Sequence, residues 1–301
     1  MSLLKVEWDI NLKQRSSEVK AKIYACIFLF IGFSHLCFAD SNPALWLAQK
    51  GEQKLWLLGS IHVGKEDLYP LPENVIQIWH QADSAIFEAN TALPPENLQT
   101  IITAPEDPHL QEHLSAEQFG KLIDFFKKNN LSESLLHTMQ PWFVALLIQQ
   151  KIVEENNYQS SYGIDQYFMN NAFSTNKQTI FLETPEEQFH DIAAMQSLQY
   201  EFLSETLSQM DHTGIELDSL IQAWRQGDYQ TVVRLLNDEN TNPKLKSFLN
   251  DEILVRRNKH WMTELQTQKK AFVVVGTLHL YGPQGLLKLL QSEHYQITRV
   301  N

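Results

Sequence analysis

Two stretches of this sequence repeat one pattern. Leu55-Trp-Leu-Leu-Gly59-Ser-Ile-His62 and Phe272-Val-Val-Val-Gly276-Thr-Leu-His279 each carry four apolar residues, then Gly, a small hydroxyl residue, a branched apolar residue and His. An apolar run this short reads as a buried strand, with the His just past its carboxyl end, where α/β sheets place their ligands. Glycine at the strand exit lets the chain turn sharply or approach another group closely. Two imidazoles converging from neighbouring strands suit two ligands for a divalent metal, or one ligand and one base. A single Gly-x-x-His describes a packed histidine equally well. Its repetition at opposite ends of the chain makes this pair a candidate site.

Carboxylates and a cation accompany the histidines. Ser84-Ala-Ile-Phe-Glu88 ends an apolar run on an acid, whose burial would be costly without a metal or cation. Glu183 follows Ile180-Phe-Leu in a similar way, though a solvated residue just before a helix cap explains it as well. Arg257, in Arg256-Arg257-Asn258 beside Trp261, either lines a solvated helix face, anchors a carboxylate or steadies an oxyanion. His109 and His113 have chelating i,i+4 spacing, but their polar, acidic surroundings read as surface. No phosphate loop, Gly-x-Ser-x-Gly elbow, His-Glu-x-x-His helix or dinucleotide fingerprint is present.

The elements that must position these residues follow from periodicity. Strands are expected at 54–58, 84–87, 179–182, 272–275 and 295–300, with a helix over 73–82. Ser115-Ala-Glu-Gln118 is a capping box opening a helix with Phe119, Leu122, Ile123 and Phe126 on one face. Pro141 stands at a first helical position before a heavily apolar run, and a short helix follows Gly163-Ile-Asp165. Thr184-Pro-Glu-Glu187 combines an N-cap, a first-turn proline and a capping-box acid. Helices then follow at 186–208, 217–226, 229–237, 244–266 and 285–291. The pattern predicts an α/β (α+β) fold, a central β-sheet formed by the N- and C-terminal segments with a large helical insertion in the middle.

The first 39 residues read separately. Lys20 and Lys22 precede the apolar run Ile23–Phe33, and Cys37-Phe-Ala39 follows it as a small-x-small cleavage site. This is a signal-peptide pattern, with an uncleaved anchor as the alternative, and it implies export and membrane association through this segment. Residues 40–301 then form a single domain without cysteine, because both cysteines, Cys26 and Cys37, lie in the leader. A cysteine-free chain suits an oxidising compartment such as the periplasm. The full chain carries 24 Lys+Arg against 36 Asp+Glu, a net charge of −12, without basic clusters. That excludes ordinary nucleic-acid binding, which needs Lys and Arg against phosphate.

Taken together, the motifs resemble the TraB/GumN family, distantly related to the Tiki metalloproteases, the erythromycin esterases and haem-binding lipoproteins. The resemblance rests on Leu57-Leu-Gly-Ser-Ile-His-Val-Gly64 with Leu68-Tyr-Pro-Leu-Pro72, and on Glu88. It continues through Trp142, Tyr162-Gly-Ile-Asp165, Leu182-Glu-Thr184, Ala223-Trp-Arg-Gln-Gly-Asp228, Arg257-Asn258 and Gly276-Thr-Leu-His279. The chain departs at Leu278, where many members carry glycine before the histidine, so this loop is expected to pack differently.

The Tiki branch of the resemblance implies a metal-dependent hydrolase cleaving peptide or protein substrates, with manganese or cobalt held by His62, Glu88 and His279. Within it, Glu88 is a ligand or general base, and Arg257 steadies the oxyanion. The haem-binding branch implies instead a non-catalytic metal or haem protein, and the family's name suggests an accessory factor for export or polysaccharide production. Substrate and oligomeric state are not legible.

Overall fold

The structure, a computed structural model, describes residues 41–236 and 241–300. The leader, Cys26 and Cys37 lie outside the described residues. Six strands form one sheet: β1 (Leu45–Lys50), β2 (Gln53–Ser60), β3 (Ser84–Phe87), β4 (Gln178–Phe181), β5 (Lys270–Gly276) and β6 (Gln296–Arg299). Their order is β4-β3-β5-β2-β1-β6. The four strands β4, β3, β5 and β2 run parallel, while β1 pairs antiparallel with β2 and β6. Strands from both ends of the described chain thus close one mixed sheet, with the helical segments between β3 and β5, as the α/β reading expects.

Strand alternation explains the two packed faces, because both sides of a parallel sheet are covered. Trp56, Leu58, Phe87, Phe272 and Val274 pack against Trp79, Phe168 and Trp224 on one face. Leu55, Leu57, Ile86, Val273 and Val275 pack against Trp261, Leu286 and Leu290 on the other. The helical middle has its own core, where Leu122 and Phe126 meet Val144, Ile148, Leu203 and Leu207. Its helix starts are as the sequence predicts. Ser115 and Thr184 both close capping boxes, and Pro141 opens the Pro141–Glu155 helix.

Four expectations change. Strand β1 is an addition: it folds back on β2 through a two-residue turn with Gly51 at φ +59°, a conformation glycine adopts freely. The helix expected over 186–208 divides into Pro185–Ala193 and Leu198–Gln209, with Gln196 left-handed between them at φ 49°. His109 and His113 do not share a helix face, because His109 is the left-handed residue (φ 46°) that precedes the Leu110–His113 turn. The 244–266 rod is α-helical at Pro243–Phe248, widens to a π-helix over Leu249–Arg256, and returns to α-helix at Arg257–Leu265. Such widened turns concentrate at functional positions, and this one ends beside Arg257.

Among the described residues no helix is long and apolar enough to cross a membrane.

Candidate functional site

All four parallel strands point their carboxyl ends to one edge. There β2 leads to His62, β3 to Glu88, β4 to Glu183 and β5 to His279. Strands β2 and β5 are direct neighbours, with Ser60 paired to Gly276, so the two Gly-x-x-His segments lie side by side. Gly59 is required where it stands: a Cβ there would lie 2.8 Å from Thr277 Oγ1. Thr277 uses that closeness to donate its hydroxyl to the Ser60 carbonyl at 2.9 Å, tying the two strand ends together.

His279 lies in a single helical turn, Thr277–Leu280, and is buried. Leu278, the family departure, is half-buried in this turn, which still carries His279 into the site. Asn258 fixes the imidazole's tautomer. Its Nδ2 donates to the carbonyls of His279 (3.1 Å) and Gln284 (2.9 Å), which leaves Oδ1 to accept from His279 Nδ1 at 2.7 Å. His279 therefore carries its proton on Nδ1 and presents the Nε2 lone pair. Trp261 lies against the ring, with centroids 4.4 Å apart.

Glu88 is held on both oxygens. Oε1 accepts from the Gly276 backbone N–H at 2.6 Å, and Oε2 from Arg257 at 2.7 Å and Gln188 at 3.2 Å. Burial alone would raise its pKa, but the positive charge near His279, Arg257 and His62 and the Gly276 hydrogen bond bring it down to about 2. Arg257, also buried, bridges Glu88 to Glu183. Glu183 is not the solvated residue its position before the Thr184 cap suggested. It is buried, accepts from Arg257 through both oxygens, and takes the Trp261 indole N–H at 3.2 Å. The only signal for it was an acid ending an apolar run, which a surface residue before a helix shares.

Of the roles the sequence left open for Arg257, the structure shows the carboxylate anchor. Its Nε donates to Glu183, Nη2 to Glu88 and Glu183, and Nη1 to the Ile253 carbonyl and to His279 Nε2 at 3.3 Å. Guanidinium has five N–H donors, and this arrangement engages all of them. Arg257 positions Glu88 and keeps it ionised.

His62 stands at the rim, with 66% of its side-chain surface exposed and Nδ1 3.3 Å from Asp165 Oδ1. Desolvation pulls its pKa down, but Asp165 and Glu88 outweigh that and raise it to about 9. With this much exposure the pairing is screened and carries little stability. The space shared by the candidate residues is marked by Gly276. A Cβ there would lie 3.1 Å from Glu88 Oε1, 3.6 Å from His279 Cδ2 and 3.7 Å from His62 Nε2. His62 Nε2, Glu88 and the His279 ring thus converge over one missing side chain.

Two imidazoles and a carboxylate are a donor set that suits a divalent ion. Among the described residues, however, no group of three or more His, Cys, Asp or Glu side chains is arranged to hold an ion as it stands. The obstacle is Arg257, whose Nη1 lies on His279 Nε2 and whose Nη2 lies on Glu88 Oε2. The donor types fit once Arg257 yields the His279 Nε2 lone pair and His62 gives up the proton that Asp165 and Glu88 keep on it.

Gly276→Ala places a methyl group into this shared space. We expect the fold to be kept, since the closest contact is a side-chain oxygen at 3.1 Å. Under a metal-binding reading of the site, divalent-metal affinity should fall about tenfold or more, the usual cost of disturbing the groups around a ligand. Calorimetric titration of both proteins with Mn²⁺ checks this, and unchanged affinity would place the ion elsewhere.

The site also predicts acid sensitivity in metal-free protein. Burial pushes the His279 imidazolium down to about 4; Glu88 opposes this, and Arg257 and His62 add to it. An unfolded histidine takes its proton near 6.5, so between pH 6.5 and 4 the unfolded state binds the extra proton and stability falls on acidification. Glu88, lowered from 4.5 to about 2, extends the loss as pH drops through that lower window. The His279 limb amounts to roughly 3 kcal/mol. Denaturant midpoints measured in chelator from pH 7 to 4 should show this fall, and His279→Gln should flatten it.

A mixed α/β sheet with paired Gly-x-x-His strands and a buried acid–arginine–acid bridge defines the class of protein. The sequence model of the TraB/PrgY/gumN family matches residues 44–299, and the chain belongs to that family. It is similar to the uncharacterized protein YbaP of Escherichia coli K12 and to YbaP of Shigella flexneri. Each is 27% identical over 251 residues, covering 83% of this chain and 92% of the relative. No solved structure gives a significant match.

Proposed function

We propose that the chain is a divalent-metal-dependent hydrolase of peptide or protein substrates, exported from the cytoplasm. The observation that carries this reading is the convergence of His62 Nε2, Glu88 and the His279 ring over Gly276. His62 and His279 would hold the ion through Nε2, with Glu88 as the third ligand or the base. Bound there, manganese or cobalt would polarise a scissile carbonyl and lower the pKa of a water.

The chain's own residues set up the rest. Asn258 keeps the His279 lone pair on Nε2, the outer-shell arrangement that orients a metal-binding imidazole, and Asp165 faces His62 Nδ1 at 3.3 Å as a charge partner. Arg257 keeps Glu88 ionised and Glu183 holds Arg257 in place, so Glu88 is presented as an anionic ligand, and a role as base would require Arg257 to release it. Export and membrane association rest on the leader pattern alone, and the acidic charge supports a partner other than nucleic acid.

The test is metal content and peptide hydrolysis by wild type, His62→Ala and His279→Ala, with folding followed by circular dichroism. Manganese- or cobalt-dependent cleavage lost in both folded variants supports the hydrolase. A metal bound without cleavage, or a Soret band that depends on either histidine, would replace it by a metal- or haem-binding protein. Indifference to both substitutions would favour an accessory factor.

A further inference from the structure

A cavity of about 350 Å³ opens beside His62 and Glu88, at the carboxyl ends of β2, β3 and β5 and against the Ile164–Ser174 helix. Phe87, Met169 and Val274, all buried, give it an apolar lining. Two polar atoms on its wall are buried without a hydrogen-bond partner: Ser60 Oγ, on a residue 4% exposed, and Asp165 Oδ1. Ser60 is fixed through its carbonyl, which Thr277 engages, while its hydroxyl is unused. The contact of Asp165 Oδ1 with His62 Nδ1 at 3.3 Å is ionic and lacks hydrogen-bond alignment.

Leaving such an atom buried and unpaired costs about 1–3 kcal/mol, so each has a free capacity that an incoming group can satisfy. The charges decide which group. Glu88 and Asp165 face the cavity, and none of its described lining residues is lysine or arginine. Arg257 nearby has every donor engaged. The cation on its wall is His62, already paired with Asp165 at 3.3 Å. A carboxylate entering here would meet two acids and that paired imidazolium, whereas a hydrogen-bond donor on an apolar stem would meet matching walls.

We propose that this cavity receives one side chain of the substrate and selects an apolar stem ending in a hydrogen-bond donor, ammonium or hydroxyl, against a carboxylate. Its use in turnover rests on the hydrolase reading; its binding preference does not. The probes are four N-acetyl methylamides that differ only in side chain: lysine, its ε-hydroxy isostere, norleucine and glutamate. The full chain is labelled with ¹³C-methyl methionine, and the Met169 signal, assigned by Met169→Leu, reports occupancy of the cavity.

The lysine and hydroxyl probes should shift that signal saturably, about tenfold more tightly than norleucine, the value of one hydrogen bond near 1.4 kcal/mol. Glutamate should leave it unmoved. Ser60→Ala and Asp165→Asn should each remove most of the advantage over norleucine. A lysine probe that outbinds the hydroxyl probe assigns the preference to charge, and parity assigns it to the hydrogen bond. Equal binding of glutamate, or no shift with any probe, overturns the proposal. Selective binding in a protein that cleaves nothing would leave the pocket standing and remove the hydrolase reading.

Discussion

Glu183→Ala is expected to destabilise the protein by about 3–5 kcal/mol, the usual cost of removing one partner from a buried ion pair. Arg257 loses two of its carboxylate contacts at once and remains buried, with Glu88 as its one remaining acid. The Trp261 indole N–H also loses its acceptor. Glu183→Gln keeps the shape and an acceptor but not the charge, and should cost less. Denaturant unfolding of both variants measures the loss, and a change under 1 kcal/mol for alanine would mean the bridge is not held in solution. The consequence for function is indirect. With its second acid neutralised in Glu183→Gln, Arg257 has Glu88 as its remaining carboxylate and shifts its hold on Glu88 and His279, so under the hydrolase reading turnover should change even where the fold survives.

Glu88→Gln should separate chemistry from folding in the opposite sense. The side chain keeps its volume, and its remaining oxygen can still accept from Gly276 or Arg257, though not both. One buried donor then faces the new amide N–H, a loss of about 1–3 kcal/mol. Under the hydrolase reading turnover should drop further, by roughly 10²–10⁴-fold where Glu88 serves as base. Rates under saturating Mn²⁺, set beside thermal midpoints, distinguish the two losses. Turnover within a few-fold of wild type would exclude Glu88 as ligand or base and leave Asp165, beside His62, as the acid partner of the pair.

Local chemistry made much of the architecture legible in advance. The capping boxes at Ser115 and Thr184 and the proline at 141 are short-range devices whose partners lie within one turn, and each opens its helix as written. The apolar runs before His62, Glu88 and His279 read as buried strands, and their shared carboxyl edge follows once the strands are parallel. The chain's membership of the TraB/PrgY/gumN family, carried by the same segments, spans nearly all of residues 40–301.

What needed the tertiary structure was every relation across the sheet. The partnership of Glu183 with Arg257, 74 residues away, has no local signature, so a buried acid looked like a surface one. Whether Arg257 served an oxyanion or a carboxylate depended on where all five of its donors ended, which no spacing encodes. Asn258 as the keeper of the His279 tautomer, and the unpaired Ser60 hydroxyl in the wall of a cavity, likewise emerge only when β2 and β5 lie side by side. The sequence by itself determined which residues could do chemistry, because burial pattern and residue type are local. Their pairings, protonation states and shared space were decided by the fold, because those depend on distances between atoms remote in the chain.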